Sequence, residues 1–104
     1  MPMDLQTLTE QLRDFARRRD WGKYHSPKNI AMALAVEAAE LMEPMQWLTE
    51  EQSRQPDAAT RARLEDEMAD VLLYLLQLAD ALDVDVLQAA FAKMQRNETR
   101  FPPV

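Results

Sequence analysis

Two pairs of carboxylates stand out in this 104-residue chain: Glu37 with Glu40 in "VEAAELM", and Glu67 with Asp70 in "EMADVLLY". Acids three residues apart are neighbours on one helix surface. Both pairs intrude on apolar stripes. At about 100° per residue, Ile30, Leu34, Leu41 and Met45 align, with Glu37 inside the stripe and Glu40 at its edge. Leu64, Val71, Tyr74, Leu78 and Leu82 form a second stripe, with Glu67 inside it and Asp70 at its edge. Glu43 points elsewhere. Burying one unpaired carboxylate is unfavourable, and gathering four is worse. Basic partners are one means of compensation, but these two segments carry few in the right register. A hard divalent cation is the other, because Mg²⁺ takes oxygen ligands and keeps waters and substrate phosphates in its shell. A lone ExxE is ordinarily a solvated helix face. Two such pairs on successive helices leave a metal site and a purely structural role both open. A di-iron carboxylate centre is excluded, since it needs Glu-x-x-His on two helices and His25 follows no such Glu.

Composition narrows the chemistry further. The chain has no Cys, one His and one Gly. Disulfides, thiolate metal sites, His-rich zinc sites and Gly-rich phosphate loops therefore have no residues to be built from. A net charge of −6 argues against binding along DNA or RNA. The N-terminus reads as polar and amphipathic rather than as a signal peptide, and the longest strictly apolar run, residues 71–76, is too short to span a bilayer. The expectation is one domain over residues 1–104, in the cytoplasm, with no membrane or nucleic-acid partner.

The acids need helices to position them, and helical periodicity dominates. A first helix is expected at about residues 5–19, from Leu5, Leu8, Leu12 and Phe15; Thr7 and Glu10 fit a capping box if the start lies later. "DWGKYHSP" breaks it. Ser26 as N-cap and Pro27 at the first position open a second helix, which Pro44 ends or kinks near residue 43. "TEEQ" at 49–52 caps a short turn. "RQPDAA" links to a third helix over about 58–82, capped by Asp57. Its segment 68–82 is apolar nearly all round, interrupted mainly by Asp70, Gln77 and Asp80. Such a helix is covered on more than one side, and in so short a chain a second copy is the expected cover. Asp85 and Gln88 start a fourth helix, which "FPPV" stops after about residue 99. The expected fold is all-α, a four-helix bundle-like protomer that completes its core by oligomerisation.

"EAAE" at 37–40 followed by "EMAD" at 67–70 resembles the ExxE…ExxD signature of the MazG-like, all-α nucleoside triphosphate pyrophosphohydrolases. The resemblance extends through "RDWGKYHSPKNIAMALAVEAAELMEPMQW" and "DVLLYLLQLADALDVDVLQAAFAKMQRNETRFP", which are similar to the branch containing the dCTP pyrophosphatases. It covers about residues 12–102. It implies Mg²⁺-dependent cleavage between the α and β phosphates, with Mn²⁺ as a substitute, giving a nucleoside monophosphate and pyrophosphate. It further implies metal ligation by Glu37, Glu40, Glu67 and Asp70, and nucleotide contacts from Trp21, Trp47 and Tyr74. Lys93 and Asn97 match positions that meet the nucleotide, often from a neighbouring subunit of a homodimer or homotetramer. Leu12 departs from the pattern, standing where the vertebrate dCTP enzymes carry a His near the base.

Other readings stand beside these. Trp21 and Trp47 are as readily core or interface residues, and Tyr74 a buried Tyr with a satisfied hydroxyl. His25 either meets the nucleotide or sits in its loop. Lys93, Asn97 and Arg100 share a helix face, where basic groups either complement the helix dipole or neutralise a triphosphate. Catalysis falls to Glu37 or Glu40, one of which would orient or deprotonate the attacking water. The rival function is a non-catalytic helical dimer, an interaction module whose acids pair with a partner's bases.

Overall fold

Every α-helix of the described residues begins where a side-chain oxygen accepts from an otherwise unpaired backbone amide. In the computed structural model, which describes residues 2–104, the helices are α1 (Leu5–Arg18), α2 (Pro27–Met42), α3 (Glu50–Arg54), α4 (Ala58–Ala81) and α5 (Val86–Arg100). Their N-caps are Asp4, Ser26, Thr49, Asp57 and Asp85. The cap of α1 is Asp4, whose carboxylate accepts from the Thr7 amide at 2.7 Å, so the helix starts at Leu5 as expected and not at the later start that a Thr7–Glu10 box would need. Asp4 outcompetes Thr7 because a carboxylate is a stronger acceptor than a hydroxyl for these amides. A full capping box forms instead at α3, where Thr49 and Gln52 satisfy each other's amides at 3.1 and 2.9 Å.

α1 and α4 end alike. Asp20 and Asp83 both take φ of 55°. The Asp20 and Trp21 amides donate to Arg17 and Ala16, and those of Asp83 and Val84 to Asp80 and Ala79, at 2.8–3.2 Å. These are Schellman closures with aspartate at the left-handed position that glycine normally takes. α2 ends at Met42 and runs into a 3₁₀ turn over Glu43–Met45, as Pro44 requires.

α2 packs along α4, and α1 lies over the C-terminal half of α4. The α2–α4 pair is antiparallel: Arg63 at the start of α4 meets Glu43 beyond the end of α2 at 3.1 Å, while Ile30 and Leu76 line one cavity at the other end. Arg13 of α1 grips both oxygens of Asp80 at 2.6 and 3.1 Å. The buried core among the described residues is Ile30, Leu64, Leu76 and Ala79. α5 stands apart from this three-helix unit; only its first turn, Val86 and Leu87, joins a cavity lined by α1 and α4. The radius of gyration, 16.5 Å, exceeds the roughly 13 Å of a compact chain this long. No helix of the described residues is long and apolar enough to cross a membrane.

Candidate metal centre

The antiparallel packing of α2 on α4 brings the two acid pairs face to face. Glu37, Glu67 and Asp70 each place a carboxylate oxygen within 4.8 Å of the others. All three are half-buried, and Oε2 of Glu37 and Oε2 of Glu67 are buried with no hydrogen-bond partner. Burial pushes the Glu37 carboxyl above its ordinary value, reinforced by Glu40, whose carboxylate lies close enough to share a proton with it, and by the charges of Asp70 and Glu67. Burial also pushes Glu67 up, with the charges of Glu40 and Asp70 adding to the shift and Arg63 opposing it.

Among the described residues none of these acids has an ion-pair partner, and Arg63, which acts on Glu67, is itself paired to Glu43. Orphaned carboxylate oxygens at this spacing, with no sulfur or imidazole among them, fit a hard divalent cation. Glu40 is half-buried beside Glu37 but does not belong to the three-oxygen group.

The nucleotide-contact candidates are dispersed. Tyr74 is half-buried on α4, one turn beyond Asp70. Trp21 is held by the Schellman closure of α1 and packs edge-on against Phe15 at 5.6 Å and against His25 at 6.3 Å. Trp47 follows the 3₁₀ turn and is 88% exposed. Lys93 is exposed and Asn97 half-buried on α5, the helix that stands away from the acids of its own chain.

A polar group that the sequence showed only as an interruption in α4 emerges here. Gln77 lies seven residues from Asp70, hence on the same helix face, and its Oε1 is buried with no hydrogen-bond partner. Its signal was its place in the apolar run, shared with Asp70 and Asp80. Of those three, only Asp80 has its partner in the fold.

Comparison with known proteins agrees with this arrangement. The chain is 42% identical over 92 residues to dCTP pyrophosphatase 1 of Mus musculus, and the match spans 86% of this chain and 54% of that protein. It is 40% identical over 91 residues to dCTP pyrophosphatase 1 of Homo sapiens, again covering 54% of the relative. The chain thus spans about half the length of these relatives. The crystal structure of a pyrophosphatase from Archaeoglobus fulgidus DSM 4304 superposes with a TM-score of 0.90 at 36% identity, covering 99% of this chain and 96% of that one. The MazG-like family model matches residues 32–102, a span holding all four acids, the whole of α4 and most of α2; the chain belongs to the MazG-like family.

Proposed function

We propose that the protein is a Mg²⁺-dependent nucleoside triphosphate pyrophosphohydrolase that cuts between the α and β phosphates, with a dCTP-like or modified pyrimidine nucleotide preferred. The observation that carries this is the cluster of Glu37, Glu67 and Asp70, with two of its oxygens buried and unpartnered. Those three would hold the ion, Mg²⁺ or in its place Mn²⁺. The ion would supply positive charge to phosphate oxygens as the bond breaks. Glu40, half-buried beside Glu37 and outside the three-oxygen group, would orient a water and take its proton. The names of the relatives, dCTP pyrophosphatase 1 and a pyrophosphatase, support the reaction class and the base. Purified protein with Mg²⁺ and a panel of deoxynucleoside triphosphates is expected to release monophosphate and pyrophosphate as the first products. Nucleoside diphosphate and orthophosphate appearing first on chromatography would refute the assignment.

The same reading includes a homodimer or a homotetramer. The accessible surface is 8469 Å², against about 6,000 Å² for a compact monomer of this mass. The excess, roughly 2,500 Å², is far above the ~800 Å² that one partner contributes to a standard interface. Apolar side chains account for much of it: Leu87, Phe91, Met94 and Phe101 on and after α5 are at least half exposed. Docking α5 on a second copy would cover them and carry Lys93 and Asn97 away from their own chain towards a neighbour's acids. Light scattering is expected to give at least a dimer at micromolar concentration, and Phe91→Glu is expected to shift it towards monomer with a lower Tm. A wild-type mass of 12.0 kDa would contradict this assembly.

A further inference from the structure

Arg63 and Glu67 stand four residues apart on α4, the spacing at which opposite charges on one helix meet. Two residues earlier on the same helix that spacing closes a bridge: Nε of Arg61 lies 3.6 Å from Oε1 of Glu65. Among the described residues no ion pair joins Arg63 to Glu67. Instead Oε2 of Glu67 is buried without a hydrogen-bond partner, although the charge of Arg63 is close enough to act on that carboxyl. A buried acceptor left unmade is unfavourable, so a stronger claim on the guanidinium keeps it away.

That claim comes from Glu43. Its Oε2 accepts from Nη2 of Arg63 at 3.1 Å, across the seam between α2 and α4 rather than along α4. Glu43 lies three residues beyond Glu40, and Arg63 four before Glu67. The pair therefore closes one end of the seam about one helical turn from the acids. Both side chains are about half exposed, and an exposed pair of this kind adds little to stability. Its consequence for the metal centre is larger. A guanidinium on Glu67 would engage a carboxylate that the ion needs and cancel part of the charge that attracts the ion.

We propose that Glu43 is a positioning residue for the metal centre: it holds the Arg63 guanidinium off Glu67 and so keeps that carboxylate free for a divalent ion. Without Glu43, Arg63 turns along its own helix to Glu67 and competes with the ion. The inference rests on the acids binding a divalent ion, as proposed above.

Calorimetric titration of Mg²⁺ into wild type, Glu43→Gln, Arg63→Gln and the double variant tests this. Glu43→Gln is expected to weaken Mg²⁺ binding at least ~5-fold in Kd, the effect of one competing ion pair at the upper end of the exposed range. In the Arg63→Gln background the same change should move Kd by less than ~2-fold, because no guanidinium is left to release. Both positions lie on the surface, so all four proteins should melt cooperatively near the wild-type Tm. An unaltered Kd in Glu43→Gln overturns the proposal. An equal loss in both backgrounds also overturns it, because Glu43 would then act through its own charge. If wild type takes up neither Mg²⁺ nor Mn²⁺, the metal-centre reading fails on its own. A crystal structure of Glu43→Gln then decides the role of Glu43: Arg63 paired with Glu67 upholds it, and Arg63 paired with Asp66 or facing solvent overturns it.

Discussion

Glu37→Gln is expected to lower turnover at least ~100-fold while the metal-free protein melts at the same or a higher temperature. Activity falls because a neutral amide replaces an anionic oxygen ligand and removes the charge that holds the ion. Stability moves the other way because Glu37 is pushed up first by burial and then by Glu40, Asp70 and Glu67. An amide of the same shape relieves that repulsion. A variant that lost activity by unfolding would show a lowered Tm, so the two measurements together separate a metal ligand from a packing residue. Glu43→Gln is the control: Glu43 pairs with Arg63 at the surface and, at saturating Mg²⁺, should leave turnover near wild type. Full activity in Glu37→Gln would remove the carboxylate site from the mechanism.

Stability should depend on pH in opposite directions with and without metal. The Glu37 and Glu67 carboxyls are raised in the folded state, so the folded protein binds protons more tightly there than the unfolded chain does. Their contribution is therefore fully present below the ordinary glutamate range and is lost as pH rises through the raised values. Metal-free protein is expected to melt higher at about pH 5 than at about pH 7.5, and Glu37→Gln to flatten that slope. Asp4, Asp14, Asp57 and Asp80 are held below the usual range by hydrogen bonds from Thr7, Arg17, Thr60 and Arg13. Their stabilisation is lost only at lower pH, outside this window. Mg²⁺ binds the ionised cluster, so adding it should raise Tm most at the higher pH, by about 2.7 kcal/mol of stability at a hundredfold excess over Kd. A melting temperature indifferent to Mg²⁺ and Mn²⁺ at the higher pH would contradict a divalent site.

The helices were legible because their starts are local events. Ser26, Asp57 and Asp85 each cap a helix within three residues of themselves, and no distant contact is needed to find them. The start of α1 at Leu5 was legible from the spacing of Leu5, Leu8 and Leu12, although its cap, Asp4, was not singled out. The pairing of the acids could be read from angle alone, since Glu37 and Glu67 lie on the faces that pack α2 on α4. What lay beyond reach was long-range geometry. Asp80, read only as a break in the apolar run of α4, belongs to Arg13, which lies 67 residues away. Nothing in the periodicity of α5 shows that its apolar face has no cover in its own chain. Gln77 was visible as an interruption, but only the packed fold shows that its Oε1 is buried without a donor.

The five side-chain caps also govern how the chain tolerates changes in length. Each helix counts its phase from its own first residue, so a residue gained in the 19–25 or 46–48 connections leaves every side chain on its face. Within α4 there is no such slack. One residue inserted between Glu67 and Asp70 would turn Asp70 by about 100° away from Glu37 while Glu67 stayed in place. The segment from 67 to 70 can thus change neither its acids nor its length, whereas the 46–48 loop can gain a residue.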